Sequence, residues 1–324
     1  AVAYNESNDG WPYYAGNGLQ EGGAAGDSEG LLGNQFSFFL NARGGFGQTK
    51  QTDRENASDF NSGGIVAGLD YHVSDNVVLG ASAGYSHFNL DFAQNANVNG
   101  GSVKANQYDI STFASFFLKD FYIDALFSYG WADYDLSRNV VLAGSIISEF
   151  EDRQAQANPD GNQLAASLAT GYDFHYQGLS YGPYVQLAYF NASIDQYQES
   201  GAGGMDLLVG RQKIDSLETI FGAHVAYAIN LESAVVVPQL RFDWHHEFFD
   251  GARAFDIKYV NAASTDTTTM RLLSNGPDSD YFNLGVGVAA NFKGGLQGFI
   301  NYETVLALRN IESHVFSTGI RYEF

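Results

Sequence analysis

Tyr281-Phe282-Asn283-Leu284-Gly285-Val286-Gly287-Val288-Ala289-Ala290-Asn291-Phe292 is the stretch that decides the fold. Phe282, Leu284, Val286, Val288, Ala290 and Phe292 alternate with Asn283, Gly285, Gly287, Ala289 and Asn291. A period of two is that of a β-strand, whose successive side chains point to opposite faces. Val237 to Glu247 repeats the pattern, with Leu240, Phe242 and Trp244 on one face and Gln239, Arg241, Asp243, His245 and Glu247 on the other. Further upstream, Leu79, Ala81, Ala83 and Tyr85 oppose Gly80, Ser82, Gly84 and Ser86. Alternation alone means a half-buried strand and suits a soluble sandwich equally well. The small-residue face is better suited to the inside of a curved barrel.

Runs of this kind predict about twelve strands, at roughly 35–47, 63–73, 76–91, 105–119, 121–136, 162–175, 179–197, 213–229, 234–248, 280–292, 295–308 and 311–324. A tilted membrane-spanning strand needs about 9–11 residues, and these runs are at least that long. The connections sort by length. Ser74-Asp75, Lys119-Asp120, Tyr176-Gln177-Gly178, Asn230-Leu231-Glu232-Ser233 and Lys293-Gly294 are short, and alternate with long segments at 48–62, 92–104, 137–161, 198–212 and 249–279. Only the connection near Leu308-Arg309-Asn310 breaks the alternation. Outer-membrane barrels keep short turns on the periplasmic side and long loops outside. The expected fold is therefore all-β, a transmembrane antiparallel β-barrel of about twelve strands over residues 33–324. Both of its ends are expected on the periplasmic side.

Composition agrees without deciding. Phe (25), Tyr (20) and Gly (37) are plentiful, Pro (5) and Met (2) scarce, and mean hydropathy is −0.19. Strands and tight turns use such residues, whereas helical bundles draw on Leu, Ala, Lys and Glu. No run of 18 or more apolar residues occurs, a test that barrel strands evade because they alternate. The absence of cysteine excludes disulfides, thiolate metal sites and cysteine nucleophiles. A net charge of −21 excludes a general nucleic-acid binder, which needs a basic face. Neither a metal nor any other cofactor is expected.

Residues 1–32 differ from the rest: polar, with seven glycines, one proline and the cluster Trp11-Pro12-Tyr13-Tyr14. At about 1 kcal/mol per interior Gly they are poor helix formers. They read as a leader that plugs the lumen or binds a partner through Trp11, Tyr13 and Tyr14. The opening AVAYNESNDG has no basic or apolar run, so any export signal is expected to have been removed.

The chain closes on Ser317-Thr318-Gly319-Ile320-Arg321-Tyr322-Glu323-Phe324. Ser317, Gly319, Tyr322 and Phe324 resemble the terminal assembly signal of outer-membrane barrels, with the barrel-assembly machinery as the implied partner. Phe242-Asp243-Trp244-His245-His246-Glu247-Phe248, Asp280-Tyr281-Phe282-Asn283-Leu284-Gly285-Val286-Gly287 and Tyr302-Glu303-Thr304-Val305-Leu306 resemble the autotransporter translocator domain. Gly171-Tyr172-Asp173-Phe174 and Gly182-Pro183-Tyr184 fit it too. The resemblance covers residues 33–324. It implies a twelve-stranded barrel in the outer membrane that translocates or anchors a passenger, linked to the passenger by a helix through the lumen. The Gly-rich leader departs from that pattern, so a passenger-less structural or partner-binding barrel is the alternative, with a narrow solute channel third. The passenger is expected either to have been cleaved off or never to have existed.

Several residues are candidates for sites. Gln239, Arg241, Asp243, His245, Glu247, Arg321 and Glu323 are expected to form a polar network in the lumen. His245 and Glu247 are expected near Asp133 and Asp135, an arrangement that rim-located outer-membrane hydrolases also use. Charges of both signs are read here as a satisfied interior rather than as catalysis. Gly80-Ala81-Ser82-Ala83-Gly84 spells a nucleophile elbow but lies mid-strand, and that motif needs a strand-to-helix turn. No catalytic residue is assigned. Tyr85, Tyr129, Trp131, Trp244 and Tyr302 are expected at the membrane interfaces, with membrane lipid and lipopolysaccharide as partners. Acidic loop residues (Asp53, Glu55, Asp59; Glu149, Glu151, Asp152; Asp278, Asp280) are solvated or hold divalent cations against lipopolysaccharide phosphates.

Overall fold

The computed structural model describes residues 35–95, 98–142, 151–261 and 269–324. The leader, with Trp11, Tyr13 and Tyr14, lies outside the described residues. Twelve long strands follow: β1 (Phe36–Thr49), β2 (Ser58–Ser74), β3 (Val77–Asn95), β4 (Val98–Leu118), β5 (Phe121–Leu142) and β6 (Asp160–Tyr172). The rest are β7 (Leu179–Ile194), β8 (Gln212–Tyr227), β9 (Ala234–Glu247), β10 (Asp280–Phe292), β11 (Leu296–Leu306) and β12 (Ile311–Glu323). Each pairs antiparallel with its neighbours in sequence. β12 returns to β1, in register from Ser37 opposite Glu323 to Thr49 opposite Ile311. Closure leaves the barrel no edge strand, so every strand backbone is paired on both sides.

One rim carries tight turns. Lys119 (φ 54°) sits between β4 and β5, and Gly294 and Gly295 (φ 92° and 82°) between β10 and β11. Left-handed residues give a hairpin turn the twist its strands require. At the opposite rim the structure departs from the expected boundaries. β3 and β4 continue to Asn95 and Val98, so almost all of 92–104 is strand. Within 137–161, β5 extends to Leu142 and Glu151–Ala157 pairs with it. Tyr197–Gln198, Leu207–Val209, Ala254–Tyr259 and Met270–Leu273 make a separate four-stranded sheet from two of the long loops. Where both faces of a strand meet water the period-two contrast fades, although the backbone ladder continues.

The apolar side chains face outward. Ile65, Leu69, Leu79, Ile110, Phe127, Leu168, Leu187, Leu240, Val286 and Ile300 are exposed on the outer wall. Each such Leu, Ile or Phe is worth about 1.5–3 kcal/mol in an apolar environment, so the barrel suits lipid rather than water. Two aromatic belts bound this band. Tyr85–Tyr108, Phe221–Trp244 and Tyr302–Phe316 ring pairs, with centroids 4.9–5.5 Å apart, lie towards the loop rim. Phe36–Tyr71, Tyr172–Phe174 and Tyr322–Phe324 lie towards the turn rim. From Phe121 to Trp131 on β5, about ten residues at about 3.3 Å each on a strand tilted by about 40° rise about 25 Å, the height of the apolar band of such barrels.

Candidate functional site

The inner wall is built from the alternate residues, and glycine organises it. On β8, Gly222 stands between Tyr184 of β7 and Asp243 of β9. On β10, Gly285 stands between Arg241 and Glu303, and Gly287 between Gln239 and Asn301. With no side chain on the middle strand, the flanking pair can meet across it. Tyr184 donates to Asp243 over Gly222. Arg241 donates to Glu303 Oε1 over Gly285 at 2.7 Å, and its Nε lies 2.8 Å from Asp243 Oδ2. Gln239 donates to Asn301 Oδ1 over Gly287 at 2.9 Å. A polar chain thus crosses from β7 to β11, with Asp243 only 1% exposed.

The remaining predicted lumen residues fall into separate groups. His245 Nδ1 lies 3.3 Å from Glu218 Oε2, Tyr281 donates to Glu218 Oε1 at 2.9 Å, and the His245 and Tyr281 rings stack at 4.4 Å. Glu247 accepts from Ser216 Oγ at 2.5 Å and from the Leu217 and Phe249 backbone N–H groups. Arg321 reaches across β1 to Asp70 Oδ1 at 2.7 Å and Ser37 Oγ at 3.1 Å, and Gln297 donates to Glu323 at 3.2 Å. Asp133 and Asp135 are not partners of this cluster. They share the outward parity of Trp131 on β5, where Asn158 donates to Asp135. Inward parity on β7, β8 and β11 was the available signal for Tyr184, Glu218 and Glu303, none of them among the predicted site residues.

Among the described residues, His245 Nε2 is buried without a hydrogen-bond partner. Ser82 faces inward beside Ser111, whose hydroxyl bonds Ser128 Oγ at 2.9 Å. Among the described residues no three His, Asp or Glu side chains are grouped to hold a metal ion. Glu55 accepts from Asn275 N–H, and Asp278 binds Arg309 at 2.7 Å.

Tyr85, Tyr129, Trp131 and Trp244 are exposed on the outer wall. Tyr302 is half-buried there, hydrogen-bonded to His314 Nδ1 at 2.8 Å, and Trp244 Nε1 donates to Asp280 at 2.9 Å. At the seam Ser317 and Gly319 face inward, and Tyr322 and Phe324 outward. Phe324 N–H donates to the Phe36 carbonyl at 3.1 Å, adding a bond where the two chain ends of the barrel meet.

The loop rim has its own anchor. Arg138 donates from Nε to Glu199 Oε1 at 2.9 Å, from its second nitrogen to Oε2, and to the Met205 carbonyl at 3.0 Å. The Leu207 N–H completes Glu199 at 2.9 Å. Burial, and then the Glu199 carboxylate, push the Tyr197 hydroxyl up to about 12. Arg138→Ala is expected to weaken the 195–211 loop by about 1–2 kcal/mol, since Arg138 is partly exposed. Protease cleavage there should accelerate about tenfold, measured by limited digestion of the folded barrel.

The barrel, with its apolar exterior and polar, glycine-floored interior, falls in a known family: residues 38–303 match the autotransporter beta-domain. The chain belongs to that family. As an autotransporter beta-domain it is an outer-membrane barrel of the kind that translocates or anchors a passenger. It is similar to the translocator domain of the autotransporter NalP from Neisseria meningitidis, with a TM-score of 0.67, 14% identity and coverage of 90% of this chain and 89% of that one. Esterase EstA of Pseudomonas aeruginosa is 26% identical over 211 residues, 63% of this chain and 30% of its own length. Outer membrane protein A of Rickettsia conorii is 24% identical over 257 residues, 79% of this chain and 12% of its own length. The autotransporter beta-domain described here thus spans less than a third of either relative.

Proposed function

We propose that this beta-domain sits with its tight turns in the periplasm and its long loops outside, and carries a passenger to the cell surface through residues 1–32. The supporting observation is the closed barrel whose first and last strands meet at the turn rim, where Gln35 enters. At about 3.3 Å per extended residue, 32 residues reach about 105 Å, more than enough to pass up the lumen. The barrel itself acts without catalysis; the likeness to Esterase EstA covers 30% of that protein's length. Ser317, Gly319, Tyr322 and Phe324 serve barrel assembly, offering the machinery a terminal strand that can be read by strand addition. The two aromatic belts hold the barrel at the lipid headgroups, with lipopolysaccharide on the loop side.

The test is a tagged soluble segment fused ahead of Ala1. Protease added to intact cells is expected to remove the tag; a tag retained in the periplasm overturns translocation. Orientation is read on the same cells, because the chain has no cysteine. Gly251→Cys, where a side chain meets open space, should label with an impermeant maleimide on intact cells. Asp75→Cys in the β2–β3 turn should label only after permeabilisation, and the reverse result inverts the topology.

A further inference from the structure

The β1–β2 and β7–β8 loops leave the barrel six strands apart, on opposite sides of a twelve-strand ring, and the β9–β10 loop is bonded to both. On the β7–β8 side, Tyr197–Gln198 pairs with Leu207–Val209, which pairs with Ala254–Tyr259 of the β9–β10 loop. Ala254–Ile257 pairs in turn with Met270–Leu273, closing a hairpin at whose base Ser274 N–H donates to the Arg253 carbonyl at 2.9 Å. On the β1–β2 side, Asn275 Nδ2 donates to Thr52 Oγ1 at 2.7 Å and its backbone N–H to Glu55 Oε1 at 3.0 Å. Arg54 donates to the Ser274 carbonyl at 3.3 Å. A continuous run of hydrogen bonds thus links opposite sides of the loop-side mouth.

Burial at the mouth points the same way. Glu247 faces inward at the loop end of β9, and Ser216 faces inward at the loop end of β8, yet both are buried. Arg253, at the hairpin base, is half-buried itself. Burial lowers its pKa below the usual arginine range, and the carboxylates that oppose this are Glu247 of β9, Glu55 of the β1–β2 loop and Asp215 of β8. Charges from three parts of the ring acting on one guanidinium place the hairpin base over the opening. The two ends of this run differ in strength. The β7–β8 end is a backbone ladder backed by the Arg138–Glu199 pair. The β1–β2 end consists of the three side-chain-mediated bonds of Thr52, Glu55 and Arg54, so it is the end that opens first.

We infer that the β9–β10 hairpin is a strap across the loop-side mouth, hinged on the small loop sheet and fastened by a releasable clasp of Asn275 on Thr52 and Glu55. Closure of the mouth follows from the contacts alone. The further step rests on the passenger reading: an outgoing chain has to open the clasp, and the strap closes behind it.

Thiol labelling of the whole chain refolded in detergent tests the closure, because the sequence has no cysteine of its own. Ser216→Cys, beneath the strap, should react with a maleimide at least about tenfold more slowly than Gly251→Cys in open space. Adding Glu55→Ala with Asn275→Ala should speed labelling at 216 several-fold and leave 251 unchanged. Heat-modifiable migration in gels establishes that each variant is folded before its rate is read. Equal rates at 216 and 251 in the clasped protein would overturn the strap, and a rate at 216 unmoved by the double alanine variant would overturn the clasp. The gating step is read with Thr52→Cys and Asn275→Cys in cells carrying the tagged chain. The oxidised pair should keep the tag from the surface and the reduced pair should display it. Display by the oxidised pair overturns the gate, whereas a tag retained by the parent chain counts against translocation and leaves the labelling result to decide the strap.

Discussion

Replacing Arg241 with methionine is expected to destabilise the barrel by about 3–5 kcal/mol, the usual cost of removing one partner from a buried ionic group. The guanidinium side chain is 12% exposed and stands between Asp243 (2%) and Glu303 (8%). Without it, two carboxylates share the inner wall, with Tyr184 donating across β8 to Asp243. Methionine fills much of the volume, so the loss is electrostatic rather than a cavity. Adding Asp243→Asn and Glu303→Gln to the methionine variant should recover a large part of the difference, because neutral amides need less compensation. Urea unfolding in lipid vesicles, followed by tryptophan fluorescence, measures both. A change under about 1 kcal/mol for Arg241→Met would show that the pair contributes no more than a surface salt bridge.

Gly222→Val is expected to cost about 3 kcal/mol, and Gly285→Ala no more than about 1 kcal/mol, although both glycines occupy the same kind of place. A Cβ on Gly222 would overlap the Tyr184 ring and Asp243 Oδ1, so the bridge across β8 must break for the side chain to fit. At Gly285 the nearest atom to a new Cβ is Glu303 Oε1 at 3.4 Å, an ordinary contact. Adding Tyr184→Ala should relieve the Gly222→Val variant in part, by clearing the overlap while leaving Asp243 with Arg241 but without the tyrosine hydroxyl. The same unfolding measurement decides. Equal effects at the two glycines would mean that they are there for backbone reasons and not to let side chains cross.

These two cases also mark how far the sequence could be read. Period-two alternation placed Arg241, Asp243 and His245 inward and Phe242 and Trp244 outward, because a strand has only two faces. Short turns at Ser74-Asp75, Lys119-Asp120 and Lys293-Gly294 exposed the barrel plan, because turn and loop lengths alternate along the chain. The same turns nearly fix the register of the hairpins they close; that between β10 and β11 sets Gly285 opposite Glu303. Where a long loop intervenes, as at 248–279 between β9 and β10, register is invisible, and with it the pairing of Arg241 with Gly285. Asp133 and Asp135 show the opposite error. Rim proximity was inferred without parity, and parity turns both of them outward on β5, away from His245.

By itself, then, the sequence determined the twelve-strand plan and the inside and outside of most strands, both properties of local period. Only the tertiary structure decided that Tyr184, Asp243, Arg241 and Glu303 form one chain over Gly222 and Gly285, and that Glu218 rather than Asp133 meets His245. The Tyr184–Asp243 and Arg241–Glu303 contacts join strands that are not neighbours in sequence. Their alignment is set by the stagger that closes β12 onto β1, which no single segment encodes.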